Sequence, residues 1–179
     1  GLRERFNMKS SGESVYCLAC FSGHERTVED FIKQSGYKVI SAIAERHVVK
    51  HGKRCKEFRS LLPGYVFMVS DESPAWDVLI RFRYISRLLR YGDGNMCLRG
   101  GDLKFAHWLQ RHNGVIETSK VVQEGARIKI ISGPLMEYEG KIVKVNKRQK
   151  CVAVQIVSEK IPCTIWLSFD FIEEVKSCR

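Results

Sequence analysis

Leu61-Leu62-Pro63-Gly64-Tyr65-Val66-Phe67-Met68-Val69 is the stretch on which the reading of this chain turns. Apolar residues follow a Pro-Gly step almost without interruption, the pattern of a strand buried on at least one face. Pro63 has a fixed φ and no N–H to donate, so it suits the first position of such a strand or a sheet edge. Gly64 lets another surface approach the backbone closely. Leu62 and Tyr65 flank the turn where the strand begins. They are either ordinary core residues or anchors aimed at a partner, and the stretch alone leaves both readings open.

Upstream, Glu45 to Arg59 alternates and is strongly basic around His51-Gly52-Lys53, which predicts a long exposed hairpin with Gly52 in its turn. Tyr37 to Ala44 before it reads as a strand, and so does Val15 to Phe21. Ser22-Gly23-His24-Glu25 has the Ser-x-x-Glu form of a capping box. A helix is expected to follow to about Ser35, with Val28, Phe31 and Ile32 on its apolar face and Gly36 as its stop. Residues 1–14 are polar and aperiodic, which predicts a flexible arm in which Met8 is a candidate native start.

Downstream, Ser73-Pro74 reads as an N-cap with proline at the first helical position, predicting a helix to Phe82. Tyr84 to Tyr91 reads as a strand, and Asp102 to His112 as a third helix with Leu103, Ala106 and Leu109 inward. The hairpin and the short connections fit an α+β sheet with helices on one side better than a doubly wound sheet. The character then shifts. Residues 113–120 read as a linker, and Ala126–Ile131, Gly140–Val145, Cys151–Val157 and Ile161–Phe169 as short strands separated by turns at Ser132-Gly133-Pro134 and Asn146–Lys150. Four or five strands in so short a segment predict a small barrel. The expected organisation is therefore an arm (1–14), an α+β domain (15–112), a linker (113–120) and a β domain (121–179).

Lysine and arginine number 30 against 20 acidic residues, a formal charge of +10, which favours a polyanionic partner. No run approaches the roughly 20 apolar residues of a membrane span. Neither a basic amphipathic helix nor a lipidation signal favours a membrane surface, so nucleic acid leads. Seven widely spread cysteines without a signal peptide predict reduced thiols and a cytoplasmic protein. Cys17-Leu18-Ala19-Cys20 has zinc-like spacing but no second pair to complete four ligands, and strand residues three apart point to opposite faces. The histidines and cysteines form no nucleophile–base pattern and no phosphate loop occurs, so neither an enzyme nor a cofactor is expected.

From Val15 onward the chain resembles the NusG family of transcription elongation factors. That family's N-terminal (NGN) domain opens with a strand and Ser-Gly-x-Glu, here Tyr16–Phe21 and Ser22-Gly23-His24-Glu25. Phe-Pro-Gly-Tyr-Val is matched by Leu62-Pro63-Gly64-Tyr65-Val66, and a following Trp by Trp76. The KOW motif of its C-terminal domain is similar to Glu124–Ile130 with Gly133-Pro134-Leu135 and Glu139–Val143. Val15 and Leu62 stand where aromatics are usual, the loop Asn146–Lys150 is unusually basic and cysteine is abundant. These departures suggest a specialised paralogue, with LoaP-type antiterminators as the preferred comparison because a basic KOW domain suits RNA.

The resemblance implies an SH3-like KOW barrel and an apolar depression that grips the clamp helices of RNA polymerase, with Tyr16, Leu62 and Tyr65 at the matching positions. It reverses the balance for Leu62 and Tyr65 in favour of anchors. Basic residues cluster on the hairpin (Arg46, Lys50, Lys53, Arg54, Lys56, Arg59), along Arg81, Arg83, Arg87 and Arg90, and around the loop Asn146–Lys150. For the hairpin, a solvated face weighs as much as a site. Arg83 and Arg87 are candidates for upstream or non-template DNA. Lys129, Lys141, Lys144, Lys147, Arg148 and Lys150 are candidates for a nascent RNA hairpin, lysines neutralising phosphates while Arg148 and Gln149 reach base edges. Alternation along Ile161–Phe169 turns Trp166 outward, either to stack on a base, to meet a protein, or to lie under a turn Phe171–Val175. The expected factor is a monomer. Alternatives are an RfaH-like reader of non-template DNA and a ribosome-associated RNA-binding module; a ribosome or termination factor as a further partner stays open. Val and Ile at strand spacing, with Gly140 and Pro162, argue against a helical C-terminal state.

Overall fold

Both faces of the first strand are apolar, and this decides the layering. In the computed structural model, which describes residues 12–172, Val15, Cys17 and Ala19 enter one buried cluster and Tyr16, Leu18 and Cys20 another. The alternation expected of a strand thus places Cys17 and Cys20 on opposite faces. Most of the arm expected over residues 1–14, including Met8, lies outside the described residues, as do residues 173–179.

The chain runs β1 (Ser14–Cys20), α1 (Glu25–Gln34), β2 (Lys38–Ile40), β3 (Ile43–Lys50), β4 (Lys53–Ser60), β5 (Tyr65–Ser70), α2 (Trp76–Leu79), β6 (Ile85–Leu88) and α3 (Gly100–Arg111). It continues through β7 (Val115–Ile116), β8 (Ser119–Glu124), β9 (Arg127–Ser132), a 3-10 helix (Pro134–Lys141), β10 (Ile142–Asn146), β11 (Cys151–Gln155) and β12 (Thr164–Phe171). The central sheet has the order β2-β5-β1-β6, with β1 and β5 antiparallel and Ala19 opposite Tyr65. α1 and α2 cover one face through Val28, Ile32 and Leu79, all fully buried. Phe105, Ala106 and Leu109 of α3 belong to the cluster on the other face. This corrects the expectation of helices on one side.

The reason is that α3 is buried more widely than a one-sided helix. Asp102, Phe105 and Trp108 are sealed along with Ala106 and Leu109, and their cluster continues into Leu135, Val154 and Phe169 of the C-terminal region. α3 therefore lies between two β layers. Five strands, ordered β10-β11-β12-β8-β9, form the second layer, with β12 parallel to β8 and the other pairs antiparallel. The stretch read as a linker contains β7, which pairs with Ile43–Ala44 of β3, and the start of β8.

Three local expectations needed correction. Tyr37–Ala44 is not one strand, because the chain leaves the central sheet at Ser41–Ala42 to enter the β3–β4 hairpin. That hairpin turns at His51 (φ 50°) and Gly52 (φ 74°), the paired left-handed positions of a tight turn. The helix expected from Ser73 shrinks to the four residues of α2, with Pro74 before it. Finally, His24 and not Ser22 stands at the N-cap of α1, without a side-chain cap. The Glu25 carboxylate instead accepts from the Gly23 N–H at 3.0 Å and from the Gly64 N–H at 2.7 Å, tying the helix start to the Pro-Gly turn. Gly64 (φ +88°) is the residue that permits this turn, since a Cβ there would press on the Cys20 carbonyl at 3.3 Å.

Candidate nucleic-acid interface

The basic hairpin is exposed along most of β4, as expected, and partly covered along β3. It lies against the C-terminal sheet, and long-range polar contacts define the arrangement. His47 Nε2 is 3.1 Å from Asp170 Oδ1, and Lys56 Nζ donates to Asp170 Oδ2 at 2.5 Å. Glu45 accepts from the backbone N–H (3.1 Å) and hydroxyl of Thr118. These contacts hold Glu45 below the usual carboxylate range, the Thr118 hydroxyl most and Lys56 less, while burial opposes them. Burial alone would push Asp170 upward, but Lys56, His47 and Lys120 outweigh it and leave its pKa lowered.

Beside this clasp a cavity of about 580 Å³ opens between the hairpin and the C-terminal sheet. From the hairpin, Arg46, Val48, Val49 and Arg54 line it; from the C-terminal sheet, Arg148, Gln149, Cys151 and Trp166 do. Arg46 donates to the Trp166 carbonyl oxygen, and Arg54 Nη2 to the Arg148 carbonyl oxygen at 2.9 Å. Burial draws the Arg46 pKa down from its ordinary value, with nearby Arg59 acting the same way and Cys151 opposing. A guanidinium stays protonated under such pressure. Among the described residues, none of Arg46, Arg54 and Arg148 is ion-paired, whereas Lys50 and Arg59 meet Glu57 and Lys56 meets Asp170 and Glu45. The hairpin's charge is thus spent internally on one side and uncompensated at the cavity.

The loop above the cavity is built by Asn146. Its Oδ1 accepts from the Gln149 N–H at 3.0 Å and its Nδ2 donates to Gln149 Oε1 at 3.2 Å. Lys150 closes the turn at φ 51° and is half-buried, its carbonyl accepting from the Phe169 N–H. Lys147 and Arg148 are exposed between them. Trp166 keeps 36% of its surface, while Ile165, Leu167 and Phe169 are buried, as the alternation predicted. Lys144 Nζ lies 6.0 Å from the Trp166 ring centroid. The turn expected to cover Trp166 falls partly on residues 173–175, outside the described residues.

The remaining candidates are dispersed. Lys129 and Lys141 are exposed elsewhere on the C-terminal region. Arg87 is exposed on β6, and Arg83 lies over the Tyr84 ring at 4.6 Å, which itself stacks on His24 at 4.0 Å. The three expected polymerase anchors do not share a surface. Tyr16 is 7% exposed, packs edge-on against Trp76 at 4.9 Å, and sits on the α1 face; burial with Cys97 beside it pushes its phenol up to about 12. Leu62 is 3% exposed and Tyr65 half-buried in the cluster on the opposite face. The expectation of one apolar hollow formed by all three is corrected, because residues 16 and 65 have opposite parity in the paired register of β1 and β5.

The sequence placed Arg148 and Trp166 among the site candidates and left Arg46 and Arg54 evenly balanced between a solvated face and a site.

Residues 14–100 match the family model described as "Transcription termination factor nusG". Among solved structures, one described as "Domain interaction in Thermotoga maritima NusG" is 19% identical, with a TM-score of 0.51 over 87% of this chain and 93% of that chain. Conformations B and A of the MjSpt4:Spt5 complex reach TM-scores of 0.33 and 0.32 at 14% identity, over 86% and 84% of this chain and 91% of the matched chain in each case. No curated protein matches the sequence. Residues 14–100 thus match the NusG family model, and the α+β fold of the chain is NusG-like.

Proposed function

We propose that this chain is a transcription elongation factor that docks on RNA polymerase through its NusG-family domain and engages nascent RNA through its basic C-terminal sheet, with the antiterminating action of a LoaP-like paralogue. The observation that carries the reading is the set of cations without carboxylate partners on a NusG-like fold. Among the described residues Lys144, Lys147 and Arg148 surround the 147–150 loop without an ion pair, so their charge is available to phosphates. Structured RNA offers loops and bulges where the arginine and Gln149 reach base edges.

Docking on the polymerase clamp helices requires an apolar contact and no chemistry. Tyr65, half-buried at the Pro-Gly turn with Leu62 beneath it, is the accessible element of the expected anchor. A factor bound this way favours the elongating state by binding it better than the paused one. Arg83 and Arg87, exposed on and beside β6, suit the backbone of upstream DNA.

In vitro transcription through an intrinsic terminator, with and without the full chain and with leader RNAs exchanged, tests this. Read-through should rise with the protein and depend on the leader. Unchanged termination on every leader, or no retention of the chain by RNA polymerase, would overturn the reading. Tyr65→Ser should weaken polymerase retention without changing RNA affinity.

A further inference from the structure

We infer that the cavity between the hairpin and the C-terminal sheet is a composite site for one unstacked nucleotide of a single-stranded segment, with its base against Trp166 and its phosphate among Arg46, Arg54 and Arg148. This rests on the nucleic-acid reading above and deepens it. The two parts of the chain supply complementary halves. The N-terminal hairpin brings two guanidiniums, and the C-terminal sheet brings the third together with the aromatic surface.

Three observations converge on that ligand. The first is charge. Each guanidinium has five N–H donors, and Arg46 and Arg54 each use one on a backbone carbonyl of the C-terminal sheet. Those bonds hold the forks in place without neutralising them. The neighbouring acids do not line the cavity: Glu57 is held by Lys50 and Arg59, and Asp170 by Lys56 and His47. The second is the aromatic. Trp166 lines the same space with a third of its surface open, beside apolar Val48 and Val49. Every base has a π-face, and stacking on an exposed aromatic is tolerant of sequence. The third is volume. About 580 Å³ suits a nucleotide-sized guest. A base inside a duplex has both faces occupied, so it reaches Trp166 only from a loop, a bulge or a free strand.

Because the two halves come from different parts of the chain, binding depends on the hairpin being docked. By linkage, the bound strand also strengthens that docking.

The test uses the full chain and fluorescence anisotropy with labelled oligouridylate RNA about 12 nucleotides long, the matching DNA strand, and a fully paired RNA duplex. Unpaired probes should bind more tightly than the duplex. Trp166→Ala should lose about tenfold in affinity for them, and Trp166→Phe, which keeps a stacking face, much less. Arg54→Gln and Arg46→Gln should each weaken binding and lower the salt slope by about 0.7. Arg54→Lys, which keeps the charge, should preserve the slope and so guards against a folding artefact. RNA and DNA strands binding alike, or RNA alone binding, both support the site and identify its source. If Arg46→Gln and Arg54→Gln bind like the native chain while Lys147→Ala and Arg148→Gln do not, the composite site is overturned and the C-terminal RNA reading stands. If Arg83→Gln with Arg87→Gln costs as much as the cavity variants, the binding is bulk charge and the site is overturned. If no probe binds, the nucleic-acid reading fails with it.

Discussion

The C-terminal sheet meets the rest of the chain along two edges built from different materials. On the α3 edge the contact is built around buried side chains of the helix. Asp102, fully buried, accepts from the Glu159 N–H at 3.0 Å, the Lys160 N–H at 3.1 Å and the Tyr91 hydroxyl at 2.7 Å. Gly101 beside it lies against the Val157 carbonyl, and Trp108 Nε1 donates to the Pro134 carbonyl oxygen. On the hairpin edge the contact is polar, partly solvated and opened by a cavity. Directional bonds to a buried carboxylate are costly to break, while solvated ion pairs are cheap to exchange. The α3 edge therefore fixes the sheet, and the hairpin edge is the side on which a ligand can compete.

Substitutions should separate the edges by size of effect. Asp102→Ala leaves backbone N–H groups of residues 159–161 and the Tyr91 hydroxyl without their acceptor, and should cost about 4 kcal/mol in denaturant unfolding. Asp102→Asn keeps one oxygen acceptor and should recover part of the loss. Gly101→Ala comes next, at about 2–3 kcal/mol of overpacking. Its Cβ would fall on the Val157 carbonyl, which is backbone and cannot swing aside. An unfolding midpoint unchanged in both variants would remove the α3 edge as the fixing one.

Much of the architecture was legible because it follows from short-range rules. Alternation gave the two-faced strand β1 and the outward Trp166, and Gly52 and Gly36 marked a turn and a helix stop. The losses came where a distant group outbid a local one. Ser22 lost its capping role as the Glu25 carboxylate served the Gly23 and Gly64 N–H groups, the latter 39 positions away. Asp102 read only as the first residue of a helix, since its acceptor role concerns backbone 57 to 59 residues downstream. Parity told the faces of each strand but not the register between strands, so the sequence could not test the grouping of Tyr16 with Tyr65 that the resemblance implied, although the two point apart. The cavity was invisible for the same reason: Arg46 and Trp166 are separated by 120 positions.

The hairpin edge should yield smaller changes. Lys56→Met removes a partly exposed ion pair with Asp170 and should cost about 1 kcal/mol or less, seen as faster amide exchange in β3 and β4 with little change in global unfolding. The same edge should respond to acid. Asp170 and Glu45 both have lowered pKa values in the folded chain, so they bind fewer protons there than when unfolded. Their contribution is complete above the ordinary carboxylate range near pH 4 and is lost as the pH falls through the depressed folded values. Lys56, His47 and Lys120 face Asp170, so protonating the carboxylate removes the negative charge on which these contacts converge. Hydrogen exchange at about pH 3 and pH 6, corrected for intrinsic rates, should show protection falling in β3 and β4 while α3 amides hold. Equal loss at both edges would mean that the two contacts melt together, and that the hairpin does not open independently to exchange its ion pairs for a ligand.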